Sequence, residues 1–402
     1  MKTWDVIIIG GGIIGLSLSI ALRKRGARVL VVERGEPSRE ASYAAAGMLV
    51  ECSLETPSLL QPLATASARM YPEFVHELQD ESGVDVDLRD AGTILFPPPQ
   101  HVHERAGFSA ESLLPAPLAQ LEPALGEVTR PAIFLQERSV DPRALGAAAV
   151  KAAKHRGVDV SSGSEVTEIL ISDGSIGGVR TDKTSYAAPV VVNCAGAWAG
   201  NLGPQQFPTR PVKGQMLSVA GGPRNTPRHV IRSPEVYLVP RSDGRVLIGA
   251  TVEEAGFDKR TDPATIEQMH RAALHLIPAL GRARILEAWA GLRPGTPDNL
   301  PILGPMPTPG YFVATGHFRD GILLTPVTAH VMAQVVTGAK PEYDISAFSP
   351  VRFPACWPRE PKSLLIKSKS ITIRSPSSTA RFGAITSTTV YSGTANRRLK
   401  RK

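Results

Sequence analysis

The sequence predicts an α/β fold, and three observations predict it. A short run rich in β-branched residues, Asp5-Val-Ile-Ile-Ile9, leads directly into Gly10-Gly-Gly12-Ile-Ile-Gly15. A helical stretch from Ile13 to about Arg25 follows and stops at Gly26, a residue suited to the left-handed turn that closes helices. A second apolar run, Arg28-Val-Leu-Val-Val-Glu33, ends on an acid. Strands apolar at every position fit a parallel sheet buried on both faces, so residues 3–35 read as one βαβ unit. The glycine pattern lies between strand and helix, and the acid ends the next strand. Together they form the fingerprint of a Rossmann-type dinucleotide-binding domain.

Each position in that fingerprint has a physical reason. Gly10 permits the tight turn, Gly12 lets backbone approach a pyrophosphate, and Gly15 lets the helix lie close to the strand. The helix N-terminus, at Ile13 and Ile14, offers unpaired N–H groups and partial positive charge to phosphates. Glu33 is placed to accept hydrogen bonds from ribose hydroxyls. The fingerprint alone does not separate FAD from NAD.

Further elements follow in order. A helix is expected from about Pro142 to Arg156, closed by Gly157, and then several strands over 158–193 with a turn at Asp173-Gly174. Residues 211–252 are strand-rich and include Val236-Tyr-Leu-Val-Pro-Arg241. A helix over about 263–277 stops before Pro278. A strand at Tyr311–Ala314 precedes a helix from about Ile322 to Val336, stopped by Gly338.

Composition excludes several classes of protein. The chain has 402 residues, 42% hydrophobic and 20% charged, as an ordinary globular protein does. Cys52, Cys194 and Cys356 are scattered, with no metal-binding spacing, so neither a disulfide framework nor a metal site is expected and a reducing, cytoplasmic setting is. The apolar run Val6–Leu22 is short for a membrane span and broken by glycines, and no span is expected elsewhere. The net charge of +8 is uneven: 11 of the 45 Lys/Arg but only one of the 37 Asp/Glu fall in residues 355–402. The remainder is near neutral, so nucleic acid is not an expected partner of the body. The Ser/Thr-rich basic tail is expected to hold little packed structure. Nucleic-acid binding through it is a distant alternative.

Four further stretches decide between cofactors: Ala41-Ser-Tyr-Ala-Ala-Ala-Gly-Met48, Val190-Val-Val-Asn-Cys-Ala-Gly-Ala-Trp198, Gly291-Leu-Arg-Pro-Gly-Thr296 and Gly316-His-Phe-Arg-Asp-Gly-Ile-Leu323. In their order and spacing the sequence resembles the D-amino-acid oxidase family of FAD-dependent oxidoreductases, and within it the glycine oxidases, over about residues 3–350. The resemblance implies FAD as cofactor. Glu33 and Arg34 would flank the adenine ribose, and Val166 would contact the adenine end. Ala41 and Ser42 would lie near the pyrophosphate and ribityl chain, and Ala46, Gly47 and Met48 near the isoalloxazine. His317, Phe318, Arg319, Asp320, Gly321, Ile322 and Leu323 would turn backbone N–H groups toward the flavin's pyrimidine edge. His317 thus serves through main chain, and no side chain is assigned as a catalytic base. The related sarcosine oxidases attach flavin through a cysteine near 293–298. That region has none here, so attachment should be non-covalent.

The resemblance also implies that Arg293 holds a substrate α-carboxylate, helped by the Tyr237 hydroxyl, with Arg319 on the substrate side. A half-buried strand aromatic is the alternative for Tyr237, and a structural role the alternative for Arg319. A guanidinium suits the task because it grips a carboxylate with two parallel hydrogen bonds. Val252 stands where a glycine oxidase can have a pocket-lining methionine, so a reshaped pocket is expected. The implied reaction is oxidative deamination of glycine, sarcosine or D-alanine to an oxo acid and ammonia, with oxygen as acceptor yielding hydrogen peroxide. A dehydrogenase using another acceptor is the alternative. The product imine of glycine could feed the thiazole branch of thiamine synthesis. Such enzymes often form homo-oligomers.

The expected architecture is therefore α/β with two domains. A Rossmann-type FAD-binding domain covers 1–83, 138–210 and 286–350. A discontinuous substrate domain, from 84–137 and 211–285, is built on a mixed, largely antiparallel sheet. Because the tail lies beyond the last family motif, deleting residues 355–402 should leave FAD binding and turnover nearly unchanged. The check is flavin content and activity of the truncated protein, and loss of flavin would place the tail inside the folded body.

Overall fold

The computed structural model describes residues 3–51, 57–97, 111–113, 115–127, 131–222 and 226–353. The described residues belong to one compact unit. The tail from 355, and part of the Pro-rich stretch after Phe96, lie outside the described residues.

The predicted βαβ unit is present as strand Val6–Ile9, helix Ile13–Lys24 and strand Val29–Glu33. It nucleates a six-stranded sheet in the order Ile302–Pro305, Tyr311–Thr315, Val190–Asn193, Val6–Ile9, Val29–Glu33, Asp159–Ser162. Every pairing is parallel except the first. Side chains alternate across this sheet. Val6, Ile8, Val29 and Val31 pack into one core with helices Ile13–Lys24, Gln61–Ser82, Pro142–His155 and Thr325–Val336. Ile7, Ile9, Leu30 and Val32 face the opposite way, against Val166, Ile169, Ile176 and Val179 of a three-stranded antiparallel sheet. Burial on both faces is the reason these strands are apolar throughout. Each such fully buried aliphatic side chain contributes about 1.5–3 kcal/mol.

A second sheet has eight strands, in the order Ile285–Gly295, Arg210–Ala220, Arg245–Gly249, Tyr237–Pro240, Val230–Arg232, Thr93–Leu95, Ala132–Leu135, Glu111–Leu113. Its pairings are antiparallel except that of Val230–Arg232 with Thr93–Leu95. Leu217, Leu238 and Ile248 pack on one face against helix Pro263–Leu276. Met216, Val239 and Leu247 turn to the other face, beside Ala46.

One domain boundary is proposed anew, and one helix start is corrected. Ile285–Gly295 is an edge strand of the larger sheet, so a domain boundary at residue 286 would cut through it. We propose that the substrate domain extends to Gly295. The helix expected from Ile322 begins at Thr325. Residues 321–324 instead form turns, because helix Gln61–Ser82 captures their carbonyls: Tyr71 Oη donates to Ile322 O at 2.6 Å and Ser67 Oγ to Leu323 O at 2.6 Å.

Candidate active site

In an open parallel sheet, ligands bind beyond the carboxyl ends of the strands. A cavity of about 830 Å³ lies there, lined by Ile9, Gly10, Val32, Glu33 and Cys194 on the side of the six-stranded sheet. Its opposite wall carries Gly214, Met216, Tyr237, Gly249, Gly291 and Arg293 from the eight-stranded sheet. The two sheets thus enclose one site.

Glycine sets the first wall. Gly10 has φ +102°, and a Cβ there would lie 2.6 Å from Cys194 O. A Cβ at Gly15 would overlap Gly10 O, so the helix approaches the strand only because none is present. Glu33 joins the turn to the next loop by accepting from Gly11 N at 2.7 Å and Gly35 N at 2.9 Å. Ser42 Oγ accepts from Ile13 N at 3.0 Å and so sits at the helix N-terminus. Gly47, at φ +74°, leaves no room for a Cβ beside Val140 O.

Ala41–Ala44 is one helical turn. Trp289 Nε1 donates to Ala44 O at 3.1 Å, and a Cβ on Gly291 would meet the Ala44 methyl. The alanine-rich stretch is therefore the close contact between the first wall and the strand that carries Arg293. Arg241 is fully buried, and its Nη2 donates to Ala46 O. Burial lowers its pKa to about 10, which still leaves it charged at neutral pH.

The 316–323 turn closes one end. Among the described residues, the N–H groups of Gly321, Ile322 and Leu323 make no hydrogen bond. His317 is buried, its Nε2 lies 3.1 Å from Thr328 Oγ1, and burial lowers its pKa to about 4. The ring is thus neutral at physiological pH and engaged in the interior. At the far end Arg34 lies over the Trp198 ring, 3.7 Å from its centroid, and pairs with Glu40 at 2.8 Å.

Arg293 and Tyr237 share the second wall. The guanidinium lies against Gly214, where a Cβ would come 2.6 Å from Cζ. Nη1 donates to Thr251 O at 3.0 Å and Lys213 O at 3.3 Å. The Tyr237 ring lies on Gly249, where a Cβ would come 2.7 Å from its hydroxyl oxygen. A glycine inside one strand and a glycine at the end of another thus make the seats for the two side chains. Both side chains are half-buried, and both line the cavity. Burial lowers the Arg293 pKa and Arg319 adds to the effect, while Tyr237 and Glu253 oppose it. Burial raises the Tyr237 pKa against the pull of Arg293 and Arg319, so the phenol keeps its proton and can donate it.

The structure brings most of the sequence-derived residues to this one cavity. Gly10, Gly12, Ile13, Ile14, Glu33, Arg34, Ala41, Ser42, Ala46, Gly47, Met48, Val166, Tyr237, Arg293 and His317 to Ile322 line it, while Gly15 and Leu323 do not. Val252 does not wall the pocket: it is 57% exposed, and Ala250 lines the cavity instead. The expected reshaping at that position is therefore withdrawn. Gly214, Gly249 and Arg241 were not read from sequence, although an isolated glycine inside a strand pattern marks a close approach.

The residues present fit FAD. The glycine cradle admits a pyrophosphate, the helix N-terminus favours it, and at the other end the N–H groups of Gly321 and Ile322, which line the cavity, make no hydrogen bond among the described residues. Cys194 is buried with its thiol pKa pushed up, which makes it a poor nucleophile. The seat of Arg293 gives a direct prediction. Gly214→Ala should preserve the fold, because the atoms displaced are the end of a flexible side chain. A misplacement near 1 Å should weaken use of a carboxylate ligand by roughly tenfold to a hundredfold in kcat/KM. Steady-state kinetics check this, and wild-type values would remove the seat from the account.

Comparison with known proteins agrees with this geometry. The family model described as DAO, FAD dependent oxidoreductase, matches residues 5–335. The chain is 34% identical to glycine oxidase of Geobacillus kaustophilus, over 87% of this chain and 97% of that protein. It is 37% identical to the bifunctional protein ThiO/ThiG of Trichormus variabilis over 87% of its own length, but spans only 55% of that relative. The crystal structure of glycine oxidase from Geobacillus kaustophilus superposes with a TM-score of 0.83 at 33% identity, covering 88% of this chain and all of that one. Iminodiacetate oxidase from Chelativorans sp. BNC1 superposes at 0.77 with 26% identity, over 86% and 98% of the two chains. The chain belongs to the DAO family of FAD-dependent oxidoreductases.

Proposed function

We propose that this protein is an amino-acid oxidase that deaminates glycine or another small amino acid such as sarcosine or D-alanine. The observation that carries the reading is Arg293, seated on Gly214 beside Tyr237 and facing the same cavity as the dinucleotide cradle. Bound non-covalently, FAD would supply the two-electron oxidation of the substrate Cα–N bond. The chain's residues supply position and charge. Glu33 and Arg34 would hold the adenosine ribose, Val166 the adenine, and Ser42 with the helix N-terminus the pyrophosphate. The N–H groups of Gly321 and Ile322, which make no hydrogen bond among the described residues, would stabilise negative charge at the pyrimidine edge.

On the substrate side the Arg293 fork and the Tyr237 hydroxyl would bind the carboxylate. Arg319, which acts electrostatically on both, would add to the positive field. The amine reacts uncharged, so no side-chain base is assigned. The glycine-derived imine would serve the thiazole branch of thiamine synthesis, a reading supported by the likeness to ThiO-named relatives. Oxygen would be the acceptor and peroxide the product, a reading supported by the likeness to glycine oxidases.

Removing one partner of a buried, hydrogen-bonded charge pair costs about 2–5 kcal/mol. Each 1.4 kcal/mol is about tenfold. Arg293→Ala should therefore lower kcat/KM by on the order of a hundredfold or more while FAD stays bound. Arg293→Lys should recover only part, because an ammonium lacks the planar fork. The measurement is peroxide release and dye reduction by the purified holoenzyme with glycine, sarcosine and D-alanine. Dye reduction without peroxide would point to a dehydrogenase, and an unimpaired Arg293→Ala enzyme would overturn the carboxylate clamp.

A further inference from the structure

The acceptors that fix Arg293 belong to two segments, and a compact polar cluster joins them. Lys213 lies in strand Arg210–Ala220. Thr251 lies beyond the end of strand Arg245–Gly249. The segments meet in an isolated antiparallel bridge, in which Lys213 N donates to Glu253 O and Glu253 N to Lys213 O, both at 2.9 Å. Side chains complete the junction around the Glu253 carboxylate. Its Oε1 accepts from Gln215 Nε2 at 2.9 Å and from the Thr251 hydroxyl. Lys213 Nζ lies 3.6 Å from its Oε2. Gln215 in turn donates its backbone N–H to Thr251 Oγ1 at 2.9 Å and accepts from Asp262 N at 2.7 Å. Lys213 and Gln215 are buried.

We propose that Glu253 is a positioning residue for Arg293, and that through it the chain sets its affinity for the substrate carboxylate. This inference rests on the carboxylate-clamp reading of Arg293. A guanidinium in a partly desolvated wall keeps one orientation only while its acceptors keep theirs. Thr251 O sits on the segment that leaves the sheet after Gly249, and the Glu253 cluster is what pins that segment to Lys213. The carboxylate also opposes the destabilising effect of burial on the Arg293 charge. A glutamine at 253 could keep both hydrogen bonds made to Oε1, but it would take from the buried Lys213 ammonium the carboxylate it is paired with. An aspartate keeps the charge with a shorter reach, so it should restore part of the function.

The test is titration of the flavin-bound enzyme with acetate, a carboxylate without the amine, followed by the visible flavin spectrum. The proteins compared are wild type, Glu253→Gln, Glu253→Asp, Arg293→Ala and the Glu253→Gln/Arg293→Ala double variant. Glu253→Gln should raise the acetate Kd about tenfold and Glu253→Asp less, and Glu253→Gln should add nothing in the Arg293→Ala background, because both changes remove one interaction. At saturating glycine the flavin reduction rate of Glu253→Gln should stay within about twofold of wild type, the mark of lost binding rather than lost chemistry. Wild-type acetate affinity in Arg293→Ala would overturn the clamp itself. Weak binding in Arg293→Ala with wild-type binding in Glu253→Gln would overturn the role of Glu253 alone, as would additive losses in the double variant. If Glu253→Gln does not fold, Glu253→Asp decides: an unchanged acetate Kd there overturns the inference, and a raised one supports it.

Discussion

The arrangement of the larger sheet turns on the cost of keeping the Arg293 guanidinium charged in a half-dry wall. A guanidinium withdrawn from water must find acceptors and tolerate no bulk on the face it lies against. Both conditions reach back into the sequence. Gly214 interrupts strand Arg210–Ala220 and Gly249 ends strand Arg245–Gly249, and an isolated glycine weakens a strand. Here the two glycines give the guanidinium and the Tyr237 ring flat surfaces to lie on. The carbonyls of Lys213 and Thr251 then take up Nη1, which fixes the rotation of the fork toward the cavity.

The same logic of close approach governs the opposite wall. At Gly10, Gly15 and Gly47 a Cβ would overlap backbone or come too close to it, and each permits a contact that no other residue would. The two walls are then fastened together by small contacts: Ala44 against Gly291, Trp289 on Ala44 O, and Arg241 on Ala46 O. Those fastenings place the dinucleotide cradle and Arg293 around one space. On the proposed reading, that proximity would let a cofactor oxidise a substrate held by its far end, since orientation carries a large share of catalysis.

Much of this was legible in the sequence because it was local. The βαβ unit and its glycine turn are contiguous, and period and turn chemistry report on contiguous residues. Arg293 and Tyr237 were legible through motifs, although nothing in their spacing showed that they would meet. Long-range register was not legible. Nothing local in 285–295 shows that this strand pairs along its length with Arg210–Ala220. The helix after Gly316 began later than its apolar pattern implied, because Tyr71 and Ser67, some 250 residues away in sequence, capture the carbonyls of the intervening turn. Val252 was misplaced because the chain leaves the sheet just after Gly249.

The central claim is that the protein recognises its substrate by the carboxylate and leaves the reacting end to orientation. Anaerobic stopped-flow reduction of the flavin by glycine and by ethylamine, an amine of similar size without a carboxylate, tests it most directly. With the clamp worth about 2–5 kcal/mol, glycine should reduce the flavin with a second-order rate constant on the order of a hundredfold above that of ethylamine. Equal rate constants for the two amines would contradict the account.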